Sequence, residues 1–241
     1  MFYFDKTDSL LVLKSDKLKI NHFFTTRNSI IKTKEKEFIE LANKNKEIIK
    51  KYFNLKFLIS PSQRHTSNIE IVDERIEYPD TDALILNNKD IGIFLNFADC
   101  TPVILFDTKN NAGAIIHAGW RGTKEKIVQK TFYKMNSEFK TSPDDVIAVI
   151  GPSICKDCFE TNNEIADMLS ESVIDNKDCI FYKNDKYYAD LKEINKKQLN
   201  ETGILNVDVC DFCTYHNNDK FFSYRKENKT TNRISAFLTL N

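Results

Sequence analysis

Three apolar segments of strand length follow one another in the middle of the chain, at residues 91–97, 103–106 and 112–117. A strand that is apolar at nearly every position must be covered on both faces, so these segments favour a layered fold over an exposed sheet. The sequence Asp107-Thr108-Lys109-Asn110-Asn111 separates the last two segments and has turn chemistry. We therefore expect those two segments to form an antiparallel hairpin.

Strand-like and helix-like segments alternate along the rest of the chain. The predicted strands cover residues 10–13, 20–25, 55–59, 69–72, 83–86, 146–150, 221–225 and 234–240, and the predicted helices cover 34–53, 124–139, 162–172 and 190–202. Thr123 is expected to cap the second helix, and Gly203 to end the last one. No Gly-, Ser- or Pro-rich linker interrupts the sequence. The pattern predicts a single mixed α/β domain over residues 1–241.

The composition excludes several classes of function. Lys plus Arg and Asp plus Glu both number 35, so the net charge is zero, whereas a nucleic-acid surface needs a basic excess. The longest apolar runs are too short to span a membrane, and the first residues do not resemble a signal peptide. We expect a cytoplasmic protein whose six cysteines are reduced and which binds neither nucleic acid nor membrane. The sequence does not specify an oligomeric state.

His65, Cys100 and His117 are the main candidates for chemistry. Each alone is weak evidence, because a single cysteine is usually a small buried hydrophobe and a single histidine is usually just hydrogen-bonded. The predicted hairpin, however, places Cys100 before one strand and His117 at the end of the other, on the same strand-end rim. Two imidazoles and one thiolate leave a fourth tetrahedral position open, which is typical of catalytic zinc, so we expect these residues to be both metal ligands and catalytic.

Three further residues are candidates for substrate binding. Asp82 lies in a loop before a predicted strand, where it can orient a histidine ligand, accept a substrate hydroxyl or simply cap a turn. Arg27 and Arg225 lie at predicted strand ends. Arginines there are usually solvated, but a guanidinium can also bind phosphate or carboxylate through two hydrogen bonds.

Two Cys-x-x-Cys pairs, Cys155/Cys158 and Cys210/Cys213, leave two interpretations open. They can form a structural four-cysteine zinc site, or they can be free thiols. Because about fifty residues separate the pairs, a spacing unlike that of common zinc ribbons, we expect reduced thiols without metal. A cytidine-deaminase site is disfavoured, since neither His65 nor His117 is followed by the required His-x-Glu glutamate.

Copper is the alternative metal for the two histidines and Cys100. A blue-copper site uses a weak axial methionine. The methionines of this chain are at positions 1, 135 and 168, outside the strand-rim segments. Zinc is therefore the favoured cofactor.

The motifs together resemble the YfiH-type laccase-domain family, also called multicopper polyphenol oxidoreductases. Two motifs in this order are very specific, Ala98-Asp99-Cys100-Thr101-Pro102 and His117-Ala118-Gly119-Trp120-Arg121-Gly122. The other matching segments are residues 22–27, 63–65, 81–85, 150–154, 190–192 and 221–225. Thr66, Phe159, Lys226 and Asn232 depart from the family pattern, and bear on substrate preference more than on metal binding.

The resemblance implies a single mixed-sheet α/β sandwich domain with a zinc site at a strand-end rim, at one end of the sheet, and with ligands at His65, Cys100 and His117. It implies a purine nucleoside phosphorylase acting on adenosine, inosine, guanosine and methylthioadenosine with phosphate, and an adenosine deaminase activity. Its older name implies the alternative of a copper-dependent polyphenol oxidoreductase. A link to peptidoglycan-precursor editing adds a hydrolase, or a binding protein, as a third interpretation.

Overall fold

The computed structural model describes residues 1–73, 75 and 77–241 and shows a mixed α/β fold built on two six-stranded sheets. The strands are β1 (Phe2–Thr7), β2 (Leu10–Ser15), β3 (Asn21–Thr25), β4 (Phe57–Ile59), β5 (Ile69–Ile71), β6 (Ala83–Leu86), β7 (Ile91–Phe97), β8 (Thr101–Asp107), β9 (Ala112–Ala118), β10 (Val146–Ile150), β11 (Glu160–Thr161), β12 (Ile180–Lys183), β13 (Lys186–Ala189), β14 (Val207–Val209) and β15 (Ile234–Thr239). The α-helices are α1 (Ile39–Tyr52), α2 (Trp120–Lys124), α3 (Ile127–Phe139), α4 (Asn163–Ser170) and α5 (Leu191–Glu201). The predicted fold class is confirmed.

Both large sheets are mixed. The first has the order β1-β2-β3-β15-β7-β4, in which only β4 runs parallel to its neighbour. The second has the order β14-β10-β8-β9-β6-β5, in which the two outer pairs are parallel and the inner ones antiparallel. A small third sheet has the order β11-β13-β12.

Alternation along the central strands explains the layers. Ile104 of β8 is buried between the two large sheets with Leu95 of β7, whereas its neighbour Val103 points to the other side, into the core formed with α3 and α5. On the far side of the first sheet, Ile49 of α1 packs with Phe23. Strands β8 and β9 are buried at every position, as expected for strands covered on both faces.

The central hairpin sets the position of the candidate ligands. Strands β8 and β9 pair antiparallel, with Pro102 opposite His117 and Thr101 opposite Ala118. Cys100 comes directly before β8, and His117 is the second-to-last residue of β9. The hairpin predicted from the apolar runs and the Asp107–Asn111 turn is therefore confirmed, and its open end carries two candidate ligands.

One predicted strand is wrong, and a predicted helix begins later than expected. Residues 221–225 are not a strand but a series of turns, in which Phe221 and Phe222 are buried in the core between the sheets and Tyr224 is exposed. The helix predicted over residues 124–139 is found as α3, but it begins only at Ile127, because the backbone at Lys126 is left-handed, with φ 56°, and separates it from the short helix α2. Thr123, predicted to be an N-cap, is consequently buried inside the shorter helix α2.

The helix predicted over residues 34–53 begins only at Ile39, after a 3-10 turn, whereas the ends of α4 and α5 follow the sequence. Asn162 and Asp190 cap α4 and α5 through their side chains, and Gly203, with φ 92°, follows α5 in a conformation that favours glycine. Edge strand β1 and the small third sheet have no counterpart among the predicted elements. Among the residues described, none of the helices is both long and apolar enough to cross a membrane.

Candidate metal centre

His65, Cys100 and His117 meet at the open end of the hairpin. One ligand atom from each lies within 4.8 Å of the others, and the two imidazole ring centroids are 4.8 Å apart. Cys100 and His117 arrive on the paired strands, whereas His65 arrives on the loop between β4 and β5. His117 is buried, Cys100 is partly buried and His65 is exposed, so the cluster lies at the protein surface.

The Asp82 carboxylate is hydrogen-bonded to both histidines, to the ring of His117 and to the backbone of His65. Its buried carboxylate accepts a 2.7 Å hydrogen bond from Nδ1 of His117, which leaves Nε2 as the ring nitrogen available to a metal. The same carboxylate accepts hydrogen bonds from the backbone N–H groups of Arg64, His65 and Thr66 at 3.2, 3.1 and 2.6 Å. These bonds hold His65 in a left-handed conformation, with φ 60°. Asp82 thus contacts a histidine ring and also caps a turn, two of the arrangements considered for it, and substrate binding by Asp82 stays a prediction.

The charged groups of the cluster shift one another's pKa values toward the ionised forms. Burial raises the pKa of Cys100, but the charge of His117 and hydrogen bonds from both histidines outweigh burial and lower it to about 6. Burial lowers the pKa of His117, but the Cys100 thiolate and the hydrogen bond to Asp82 raise it to about 9. Burial likewise raises the pKa of Asp82, and its bonds to His117 and Thr66 lower it to about 2. At neutral pH, Cys100 is thus a thiolate, as a metal ligand must be.

Asp99 anchors the segment that carries Cys100. Its backbone is left-handed, with φ 81°, and its carbonyl accepts a hydrogen bond from the N–H of Ile154 at 3.0 Å. One carboxylate oxygen accepts a bond from the Thr214 hydroxyl at 2.6 Å, and the other accepts one from the backbone N–H of Arg225 at 2.7 Å. Two distant loops are therefore tied to the residue next to a candidate ligand.

Gly119 leaves the space that the cluster needs. A Cβ atom at this position would lie 2.9 Å from the Cys100 Sγ and 3.3 Å from Cδ2 of His65. Its backbone, with φ −70°, would accept another residue, so the constraint is contact with the ligands rather than conformation.

The arginines near this end of the fold differ in how far their guanidinium groups are already engaged. Arg27, a predicted anion contact, donates to Glu227 at 2.7 Å and to the Asn218 carbonyl at 2.9 Å. Arg225, the second predicted contact, is exposed and donates to the carbonyls of Cys158 and Glu160 at 3.3 and 3.1 Å. Substrate binding by Arg27 and Arg225 stays a prediction.

Arg233 is a candidate that the sequence did not single out. Its guanidinium donates to carbonyls of its own loop, those of Thr230 and Asn232. Burial lowers the pKa of Arg233, while the negative charges of Cys100, Tyr224 and Asp99 act in the opposite direction. This partly buried cation therefore lies within electrostatic reach of Cys100. Its one signal in the sequence is the neighbouring Asn232, where the chain departs from the family pattern.

The two Cys-x-x-Cys pairs do not meet as four cysteines. Cys155, Cys158 and Cys213 lie together, but their fourth neighbour is His216, which no sequence motif singled out. Cys210 is buried separately in the core between the sheets. The alternative of a four-cysteine zinc site is therefore wrong, because His216 and not Cys210 completes the cluster.

The donor atoms of His65, Cys100 and His117 fit a borderline-soft transition metal. Imidazole suits zinc and copper, and thiolate suits zinc and Cu(I). Met135 belongs to α3 and is packed in the core that this helix forms with the second sheet. The site thus offers three protein ligands, the number found in catalytic zinc sites.

Comparison with known proteins shows which family the chain resembles. The family model described as multi-copper polyphenol oxidoreductase laccase matches residues 22–241. A purine nucleoside phosphorylase of Clostridium acetobutylicum is 32% identical over 237 residues, which cover 95% of this chain and 95% of that protein. An adenosine deaminase from an unknown prokaryotic organism is 31% identical over 183 residues, 70% of each chain.

The fold is also that of a solved structure. The crystal structure of YlmD from Geobacillus stearothermophilus superposes with a TM-score of 0.88, covering 98% of both chains at 22% identity. The two sheets and their helices are therefore a known architecture.

Proposed function

Because this chain belongs to the multi-copper polyphenol oxidoreductase laccase family, whose relatives include named phosphorylases and a deaminase, we propose that it is a zinc-dependent purine nucleoside phosphorylase. The observation that carries the proposal is the set of His65, Cys100 and His117 around one point, with Asp82 orienting both histidines. The proposed substrates are adenosine, inosine, guanosine and methylthioadenosine, with phosphate as the second substrate. We place the reaction in the cytoplasm.

His65, Cys100 and His117 would hold the zinc ion. When bound, zinc supplies a Lewis acid that polarises an oxygen atom and stabilises negative charge. The protein supplies orientation: the Asp82 carboxylate fixes the ring of His117 through Nδ1 and the backbone of His65 through its N–H. Ligands held in this way need little reorganisation during the reaction.

In phosphorolysis, a phosphate oxygen forms a bond to C1′ as the bond from C1′ to N9 of the purine breaks. The purine leaves with the bonding electrons and takes up one proton, and ribose 1-phosphate is the other product. We assign the phosphate to Arg233, whose guanidinium lies within electrostatic reach of Cys100, and to Arg225 as a second contact. Cationic groups at this place would hold the dianion and favour its approach to C1′.

We propose adenosine deamination as a second activity of the same site, supported by the relative named adenosine deaminase. Water adds to C6 of the purine, and the amino group leaves as ammonia with a transferred proton. This reaction needs no phosphate, so the two activities separate experimentally.

Copper-dependent oxidation of phenols is the alternative, favoured by the family description and by a His₂Cys donor set that also suits copper. The buried position of Met135 within α3 argues against its being the axial methionine of an electron-transfer site. Elemental analysis of the purified protein, together with a phenol-oxidation assay, distinguishes the two metals and reactions.

The decisive test is chromatography of adenosine and inosine incubations with and without phosphate, using zinc-loaded protein. We expect adenine or hypoxanthine together with ribose 1-phosphate, only when phosphate is present. Inosine formed from adenosine without phosphate would support the deaminase activity. Base release that does not depend on phosphate would indicate hydrolysis and contradict the phosphorylase proposal, as would oxidation of phenols without any base release.

A further inference from the structure

A second cluster of metal-ligand side chains lies away from the first three ligands. Cys155, Cys158, Cys213 and His216 each offer one ligand atom, and these atoms lie within 4.8 Å of one another. The Cys158 Sγ is 3.2 Å from Nε2 of His216, and the Cys155 Sγ is 3.9 Å from its Nδ1. Three sulfur atoms and one imidazole therefore converge from two segments that are far apart in sequence.

Backbone geometry brings the two segments together. The N–H of Cys158 bonds to the Cys155 carbonyl at 3.0 Å, which closes the Cys-x-x-Cys turn. Ser153 pairs with Cys213 in a parallel β-bridge, and the N–H of Thr214 donates to the Ser153 carbonyl at 3.1 Å. Backbone hydrogen bonds therefore hold the two ligand-bearing segments next to each other.

A turn also presents His216. The N–H of Asn217 donates to the Cys213 carbonyl at 2.8 Å, so Cys213 and His216 lie on one turn as a Cys-x-x-His pair. The backbone N–H of Cys155 points at the Cys213 Sγ, 3.3 Å away. Metal-binding thiolates commonly accept such secondary hydrogen bonds, which also orient them.

The donor set identifies the ion. Four donors from Cys and His make up a closed tetrahedral shell, which is the arrangement of structural zinc, and thiolates also exclude hard ions such as Mg²⁺ and Ca²⁺. We propose that Cys155, Cys158, Cys213 and His216 bind a second zinc ion with a structural role. This reverses the expectation from the sequence that the cysteine pairs carry no metal.

The position of this site suggests what the ion stabilises. Arg225 donates to the Cys158 and Glu160 carbonyls, and its backbone N–H donates to Asp99, beside Cys100. Thr214, next to Cys213, donates its hydroxyl to the same Asp99. The second zinc therefore joins the two loops that hold the segment leading into the first metal centre.

Metal content of matched variants tests the proposal without any activity measurement. Wild-type protein, purified without chelator under reducing conditions, is expected to hold two zinc equivalents per chain by elemental analysis. Cys100→Ala, Cys158→Ser and His216→Asn are each expected to hold one. Cys210→Ala is the control, because it changes the other cysteine of the Cys210/Cys213 pair, and it should retain two equivalents.

Cobalt provides an independent readout. In the Cys100→Ala background, Co²⁺ should give thiolate-to-cobalt charge-transfer absorption, which adding Cys158→Ser should weaken. His216 is exposed, so His216→Asn should still fold even if a buried cysteine variant does not. One zinc in the wild type, two in His216→Asn and Cys158→Ser, or a Cys155–Cys158 disulfide found by mass spectrometry would each overturn the proposal.

Discussion

The Asp82 carboxylate accepts a hydrogen bond from the ring Nδ1 of His117 at 2.7 Å and, through its other contacts, binds the backbone N–H groups of the loop that carries His65. One buried side chain therefore sets the orientation of two candidate ligands that lie on different elements. The affinity of the first centre for zinc should therefore depend on Asp82.

Replacing Asp82 by Asn should weaken zinc binding at the first centre roughly 10- to 100-fold, the usual effect of losing a carboxylate behind a histidine ligand. A competition titration against a chromophoric chelator measures the change. Asp107→Asn is a suitable control, because Asp107 is also buried and accepts hydrogen bonds from backbone N–H groups, those of Lys109 and Asn110, within a turn of its own. Equal affinities in wild type and Asp82→Asn would contradict the orienting role.

Cys100→Ala should remove the zinc of the first centre and the phosphorolysis of inosine together, because two imidazoles alone bind zinc weakly at neutral pH. Elemental analysis and a base-release assay on the same preparation check this. Cys179→Ala removes a buried thiol from another core cluster and should change neither quantity. Normal turnover by Cys100→Ala would show that the catalytic site has been misassigned.

Zinc affinity at the first centre should rise with pH between about 6 and 9. In this range the metal-free pair consists of a Cys100 thiolate, with its pKa near 6, and a protonated His117, with its pKa near 9. Binding through His117 must release its proton, so this pair makes the affinity increase roughly tenfold per pH unit. The rise should steepen below pH 6, where Cys100 must also lose a proton. Affinity measured from about pH 6.5 to 8.5, corrected for protonation of the chelator, tests the slope, and a flat profile would refute it.

Gly119→Ala should lower zinc affinity while leaving the fold intact. The added Cβ would meet the Cys100 Sγ at 2.9 Å, and the backbone conformation of Gly119 accepts alanine. Gly122→Ala is the comparison, because its Cβ would meet the His117 carbonyl and Ile127 and no ligand atom. Chelator competition and thermal unfolding of the two variants separate the effects. If both variants lost zinc affinity equally, contact with the Cys100 sulfur would not be the cause.

Arg233→Lys should raise the KM for phosphate roughly tenfold or more, since it would remove the proposed two-point hydrogen bond, worth about 1.5–3 kcal/mol, and keep the charge. Arg27→Lys should have a smaller effect, because the Arg27 guanidinium is already paired with Glu227. Phosphate titrations of both variants at saturating inosine make the comparison. A larger effect at Arg27 would reverse the assignment of the anion contact.

The sequence predicted best where local pattern and tertiary contacts agree. The boundaries of β7 and β10 match their apolar runs, and the hairpin follows from turn chemistry at residues 107–111. The same hairpin explains why Cys100 and His117 could be placed together from the sequence alone. Their third partner, His65, was found through its chemistry and its motif, since nothing local fixes the path of its loop.

The errors arose where long-range contacts decide the structure. Phe221 and Phe222 looked like strand residues, but they fill the space between the sheets from a turn. His216 was missed because long-range pairing, such as the bridge between Ser153 and Cys213, brings it to Cys158. A spacing of about fifty residues between cysteine pairs carries no information about such a bridge.

The place of β15 in the first sheet has a consequence for synthesis of the protein. This strand, residues 234–239, lies between β3 and β7 and pairs with both. Strands β3 and β7 therefore lack their shared pairing partner until residue 239 has been synthesised. The second sheet, whose last strand ends at Val209, has all its strands earlier. Since chains are synthesised amino end first, every strand of the sheet that bears Cys100 and His117 is made before β15, and the first sheet is the last to have all its strands.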